Sequence, residues 1–239
     1  MSIENSLNER NQELYNKLIA AGANISFEID GDADSWYVQE KLSFKIGSPD
    51  DNPNPASLAH ELLHIQLKFK GFRNTSEIYG LYNEDNSIFT PDFIASLNNN
   101  VAHFKMLDEF LQMGFSVDEF LQDTPKKYFL DGMLLQTVLM VAQHNAGVAE
   151  IRPQTREIIL LCASAKLFEL YKVKDPNTQN GLHPAGVMGP LKEINADLVN
   201  GLDKLFNEWN EANTVDNPQF YHRLNALVQS LNIPNENAI

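Results

Sequence analysis

The chain contains a single cysteine, Cys162, so no internal disulfide is possible and a reducing compartment is its simplest setting. Cations are also scarce: 18 Lys and Arg stand against 32 Asp and Glu, a formal net charge of −14 with an isoelectric point near 4.7. Phosphate recognition needs a cationic face, so nucleic acid is excluded as a partner and an anionic membrane surface is disfavoured. The opening "MSIENSLNERNQELYNKLIAAG" lacks the basic start and apolar core of a signal peptide. No long hydrophobic run occurs either. The most apolar stretch, "YFLDGMLLQTVLMVA", carries Asp131 and Gln136 and is too short to span a bilayer, so it reads as a buried helix. Together these absences point to a cytoplasmic protein.

At 239 residues the chain is long enough for one substantial core. Helical spacing covers 3–21, with Leu7, Leu14, Leu18 and Ile19 on one side. "NISFEID" and "WYVQEKLSFKIG" then alternate as strands, and the turn-rich "GDADS" between them predicts a hairpin. Asp30, Asp32 and Asp34 resemble a calcium loop only superficially. Ser35 stands where that loop wants glycine and Lys41 where it wants glutamate, which leaves a solvated acidic turn.

Asn54 and Pro55 mark the cap and first turn of the next helix, and Gly71 marks its end. Residues 73–90 read as a loop. Thr90 and Pro91 open a second helix that runs to about Gly114. Further helices are expected over 117–122, 128–145, 154–173, 190–212 and 217–231. Ile194, Leu198, Leu202, Leu205 and Trp209 form an apolar face on the fourth of these. The predicted fold class is α+β, mostly α: a small β-hairpin, a helix carrying a histidine motif, and a helical C-terminal half. Without a Gly/Ser-rich linker the chain is expected to be a single unit over 1–239, with 115–239 packed on 1–114.

The motif is "HELLH", residues 60–64, inside "ASLAHELLHIQLKFKGF". A helix repeats every 3.6 residues, so His60 and His64 project from one face and can reach a single cation. Glu61 lies about 100° round from His60, close enough to act on a metal-bound water without being a ligand. Zinc lowers the pKa of such a water towards about 7, within reach of a carboxylate base. Leu58, Leu62, Leu63 and Leu67 offer the contacts that would anchor the helix. An ordinary amphipathic helix can contain this pattern by chance, but the caps and the preceding strands favour a metal.

Over about 25–114, with "HELLH" as its specific core, the chain resembles the zincin-like metallopeptidases. There an edge strand precedes the HExxH helix and a later helix supplies the third ligand. The resemblance implies metal ligation by His60 and His64 and a general base at Glu61; it does not by itself establish peptidase activity. The metzincin extension is excluded, because Leu67 and Lys70 occupy its glycine and histidine positions. Downstream of the motif, an E-x-x-x-D turn of the gluzincin kind occurs at Glu119–Asp123 and Glu193–Asp197. Polypeptide deformylases need a cysteine upstream of the motif, and Cys162 lies downstream.

For the third ligand the favoured residue is His103, on "TPDFIASLNNNVAHFKMLDEFLQMG" at the edge of a seam formed by Phe93, Leu97, Phe104, Leu107 and Leu111. Glu119, Asp108, Glu109 and Glu77 remain rivals under the same ligand count. The arrangement is also similar to uncharacterised bacterial HExxH proteins with a later N-x-x-x-H helix, in which Asn99 would orient a ligand. Tyr79, Tyr82, His144 and His183 are weaker candidates for stabilising an oxyanion.

The expected function is thus a zinc-dependent (Zn2+) hydrolase, a cytoplasmic metallopeptidase acting on a peptide or protein. The alternative is a regulatory or partner-binding protein of the same fold with restricted or lost proteolysis. A helical structural protein without metal is the third possibility.

Overall fold

The computed structural model of the protein describes residues 3–33, 35–40, 43–52, 54–82, 88–121, 137–142, 155–178 and 185–231. It is mostly helical with one small three-stranded sheet, the expected α+β class. Contacts group the chain into two compact units, Met1–Gly71 with Lys105–Lys126, and Phe72–Phe104 with Lys127–Ile239.

The first unit opens with a 3-10 turn, Ile3–Ser6, followed by helix α1, Gln12–Ala20. The continuous helix expected over 3–21 is broken here by two asparagines. Asn8 N–H donates to Asn11 Oδ1 at 2.9 Å, and Arg10 N–H donates to Asn8 Oδ1 at 2.9 Å. Such side chains compete with helical backbone bonds. Fully buried Asn11 then donates to the carbonyls of Ser6 (3.0 Å) and Pro55 (2.9 Å), fastening this corner to the helix that follows the sheet.

The strands are β1 Ile25–Ile29, β2 Tyr37–Glu40 and β3 Phe44–Ser48, in the order β1-β3-β2. The expected two-strand hairpin is therefore corrected. The second predicted strand is itself a hairpin: β2 pairs antiparallel with β3 (Tyr37↔Gly47, Glu40↔Phe44), and β1 lies parallel to β3 (Ile25↔Phe44, Ile29↔Ser48). Apolar alternation carries through both β2 and β3, so it does not mark that they are two strands. Gly47 is required in that register, because a methyl there would collide with the Tyr37 ring. The Tyr37 hydroxyl lies 2.8 Å from Asp30 Oδ2, and that bond, with burial and Glu28 adding to it, pushes its pKa up to about 12. Asp30 Oδ1 also accepts the Asp32 N–H at 3.2 Å, so Asp30 serves the turn.

Helix α2, Pro55–Phe69, follows as predicted. Asn54 Oδ1 accepts the Ser57 N–H at 3.0 Å, Pro55 fills the first turn, and Gly71 takes a positive φ of 99° just past the end. Every residue from Ala56 to Leu63 is buried. Lys68 pairs with Glu40 of β2 at 3.1 Å. The last turns of α4, Pro91–Gln112, belong to this unit. There Glu109 receives Gln66 Nε2 at 2.7 Å and Lys70 Nζ at 2.9 Å. A short helix, α5 Val117–Phe120, comes next.

The second unit begins with helix α3, Thr75–Tyr82, where a loop was expected. Asn74 Oδ1 accepts the Glu77 N–H at 3.0 Å and Glu77 returns a bond to Asn74 N–H at 2.7 Å, a reciprocal cap. The first turns of α4 are capped by Thr90, whose Oγ1 accepts the Phe93 N–H at 3.4 Å. Residues 137–142 are helical; the rest of the helix expected over 128–145 lies outside the described residues.

Helices α6 Thr155–Lys174, α7 Ala185–Glu211 and α8 Asn217–Ser230 complete the unit. Helix α7 starts before the predicted residue 190 and contains Pro190. It is kinked at Asn195 (φ −152°, ψ 87°), whose Oδ1 accepts the Leu198 N–H at 3.0 Å and so caps a new helical segment. Leu198, Leu202, Leu205 and Trp209 are buried, as their spacing predicts.

At the centre of this unit Asn217 is 0% exposed. Its amide donates to the Arg73 carbonyl (2.9 Å) and to Asn98 Oδ1 (2.8 Å), while its own oxygen accepts the Arg73 N–H at 2.8 Å. Asn98 Nδ2 donates to the Arg73 carbonyl at 3.0 Å. No helix among the described residues is long and apolar enough to cross a membrane.

Candidate metal centre

Helix α2 is anchored by Leu58, Leu62, Leu63 and Leu67, each at most 2% exposed. This packing fixes the rotation of the helix and with it the face that carries the motif. The rings of His60 and His64 lie one turn apart with centroids separated by 5.1 Å. His60 is 8% exposed and Glu61 4%, so a carboxylate and an imidazole share a largely dehydrated stretch of helix. Burial pushes the His64 pKa down to about 4, which keeps its imidazole neutral near pH 7 with a lone pair available to a cation.

His103, 9% exposed on α4, joins this pair. One ring nitrogen from each of His60, His64 and His103 lies within 4.8 Å of the others. Three imidazoles around a tetrahedral zinc, at about 2.05 Å each, would have nitrogens roughly 3.4 Å apart. Three imidazole nitrogens with a buried carboxylate in the same stretch of helix are donor types that zinc takes, so the residues fit the group.

The four rivals for the third position are all engaged elsewhere or outside the cluster. Glu119 closes the capping box of α5, accepting Ser116 N–H at 2.8 Å and Ser116 Oγ–H at 3.0 Å, and it pairs with Arg10 at 3.3 Å. Burial acts to raise its pKa, but the Ser116 bonds and the Arg10 charge outweigh burial and hold the carboxyl below the usual range. Glu109 is held by Gln66 and Lys70, and Glu77 caps α3. Asp108 is exposed.

Asn99 is exposed too; its neighbour Asn98 is the buried one, and it serves the Asn217 cluster. The Tyr82 hydroxyl donates to the Pro218 carbonyl at 3.1 Å, and Tyr79 is 37% exposed. His144 and His183 lie outside the described residues.

An aromatic wall behind His60 was not legible in the sequence. Phe120 packs against the imidazole at 4.6 Å between centroids, and Phe110 meets it edge-on at 6.5 Å. Phe115 stacks on Phe110 at 4.8 Å. Arg10 covers Phe115 from the other side, its guanidinium carbon 3.9 Å from the ring centroid, and donates to the Gly114 carbonyl at 3.2 Å. The N-terminal segment thus braces the wall that limits how the His60 ring can turn. Only a patterned run of phenylalanines at 110, 115 and 120 hinted at it.

Compared with protein-family models, curated proteins and solved structures, the chain finds no match in any of the three.

Proposed function

We propose that the protein is a zinc-dependent hydrolase of the zincin type, a metallopeptidase acting on a peptide or protein in the cytoplasm. The observation that carries this reading is the meeting of His60, His64 and His103 beside buried Glu61. His60, His64 and His103 would hold the ion. Bound there, zinc supplies Lewis acidity and a water acidic enough to attack near neutral pH. Glu61 would serve as the base that takes a proton from the attacking water and returns it to the departing amine, in a position shielded from solvent. The leucine anchors and the Phe120 wall hold His60 in orientation while this happens.

Glu61→Gln separates binding from chemistry. The variant is expected to keep near-stoichiometric zinc by elemental mass spectrometry and to lose hydrolysis by at least about 100-fold, the usual scale for removing a general base. Undiminished turnover would remove Glu61 from this role. Absence of zinc from the wild type after addition of the metal would remove the hydrolase reading altogether.

A second function is favoured by the same burial: cleavage confined to one partner, or recognition without cleavage. With His60, Glu61 and His103 each at most 9% exposed, a bulky chain has little access to the cluster. Restricted catalysis predicts that one defined protein in a lysate is cut by the wild type and spared by Glu61→Gln, while casein is untouched. Association with that protein without any cut in either case would instead identify a binding protein.

A further inference from the structure

Ser57 is 1% exposed, and its Oγ is buried without a hydrogen-bond partner among the described residues. Its backbone N–H is already satisfied by Asn54 at 3.0 Å, so the hydroxyl is not needed to cap α2. A buried hydroxyl left unbonded opposes folding, and alanine is the better helix former at such a position. A serine here therefore calls for a physical reason.

Its place on the helix supplies one. Ser57 stands three residues before His60, four before Glu61 and seven before His64, all on one face. At 100° per residue it falls between His60 and Glu61 in angle, about 60° from one and about 40° from the other. Helical side chains lean towards the preceding turn, which for residues 60 and 61 is the turn that carries Ser57.

A metal-binding imidazole uses one ring nitrogen and needs an acceptor for the N–H on the other, which fixes tautomer and ring orientation. We propose that Ser57 is the positioning residue of this centre: its hydroxyl oxygen accepts the ring N–H of metal-bound His60 and its proton is donated to the Glu61 carboxylate. A hydroxyl can do both at once. Ligand and base would then be held in register by one group that touches neither metal nor substrate. The inference rests on the metal reading of His60, His64 and His103.

The test compares wild type, Ser57→Ala and Ser57→Thr as full-length proteins, titrated with zinc against a competing chelator, alongside the cobalt absorption spectrum and the melting temperature of the metal-free forms. Ser57→Ala is expected to bind zinc about 10- to 100-fold more weakly, the range for losing such a partner, and to show an altered cobalt spectrum. Its metal-free form should melt at or above the wild-type temperature, since an unbonded hydroxyl has gone. Threonine, which keeps the hydroxyl, should restore affinity and spectrum. Equal zinc affinity in wild type and Ser57→Ala would overturn the inference and leave the metal reading standing. A drop in metal-free stability as large as the affinity loss would also overturn it, by making Ser57 a packing residue. A wild type that binds no zinc would overturn both.

Discussion

Two buried polar clusters, one around Asn217 and one on the motif face of α2, follow opposite rules. Around Asn217 the amide, its own oxygen, Asn98 and the Arg73 backbone exchange bonds among themselves, and the shortest are 2.8 Å. That arrangement is complete as a hydrogen-bond network and needs no ligand. On α2 lie two imidazoles that with His103 could hold a metal, a carboxylate, and a hydroxyl without a bond, placed by helix spacing and apolar anchors. Burying that hydroxyl unbonded opposes folding unless something satisfies it. The contrast teaches that buried polarity alone does not mark a functional site. What marks it is a donor set whose bonding capacity points to a ligand.

The comparison is broken most severely at the asparagine. Asn217→Ala removes three bonds from a fully buried position, so it should cost about 3–4 kcal/mol whether or not zinc is present, read by urea unfolding with and without chelator. The histidine face should behave in the reverse way. Adding zinc at about 100 times its dissociation constant should stabilise the wild type by about 2.7 kcal/mol, and His103→Ala should abolish that gain. Metal-free His103→Ala should lose less than the asparagine variant, which melting curves on chelated samples will show.

A smaller effect sharpens the role of the aromatic wall. Arg10→Ala removes the cap on Phe115 and the bond to Gly114, at about 1 kcal/mol, and should weaken zinc binding only through freer motion of His60. The smallest effect is a pH dependence. The Glu119 carboxyl is held below its ordinary pKa of 4.5, so the unfolded chain binds more protons than the folded one at acid pH. Its stabilisation is present above pH 4.5 and is lost as the pH falls through the depressed value. Glu119→Gln should flatten that acid limb of the stability curve, and Arg10→Ala should shift it to higher pH.

The sequence made α2 legible almost completely, because Asn54, Pro55 and Gly71 are local signals that act through the backbone alone. Placing His103 near the motif was legible through helix spacing and a missing ligand. Strand pairing was not, since alternation at Val38, Phe44 and Ile46 tells which residues face a core but not where the chain reverses. Helix α3 did carry a local signal, Asn74 with Glu77 three residues on, in a stretch too short for clear periodicity. The early start of α7 was hidden by Pro190, which reads as a first-turn residue yet sits inside the helix before the Asn195 kink. The burial of the Ser57 hydroxyl and the Phe120 wall depend on packing, which no spacing rule reveals.

The two tryptophans fall one to each unit. Trp36 is 6% exposed beside the Phe27 ring in the first, and Trp209 is 4% exposed in the second, its indole N–H donating to the Val101 carbonyl at 3.0 Å. Val101 precedes His103 by two residues on α4. The chain thereby carries two native fluorophores with separate assignments. Trp36→Phe leaves an emission signal that watches the helix bearing His103, and Trp209→Phe leaves one that watches the sheet. Optical titrations on those two variants could then follow ligand binding and unfolding unit by unit, with no dye attached.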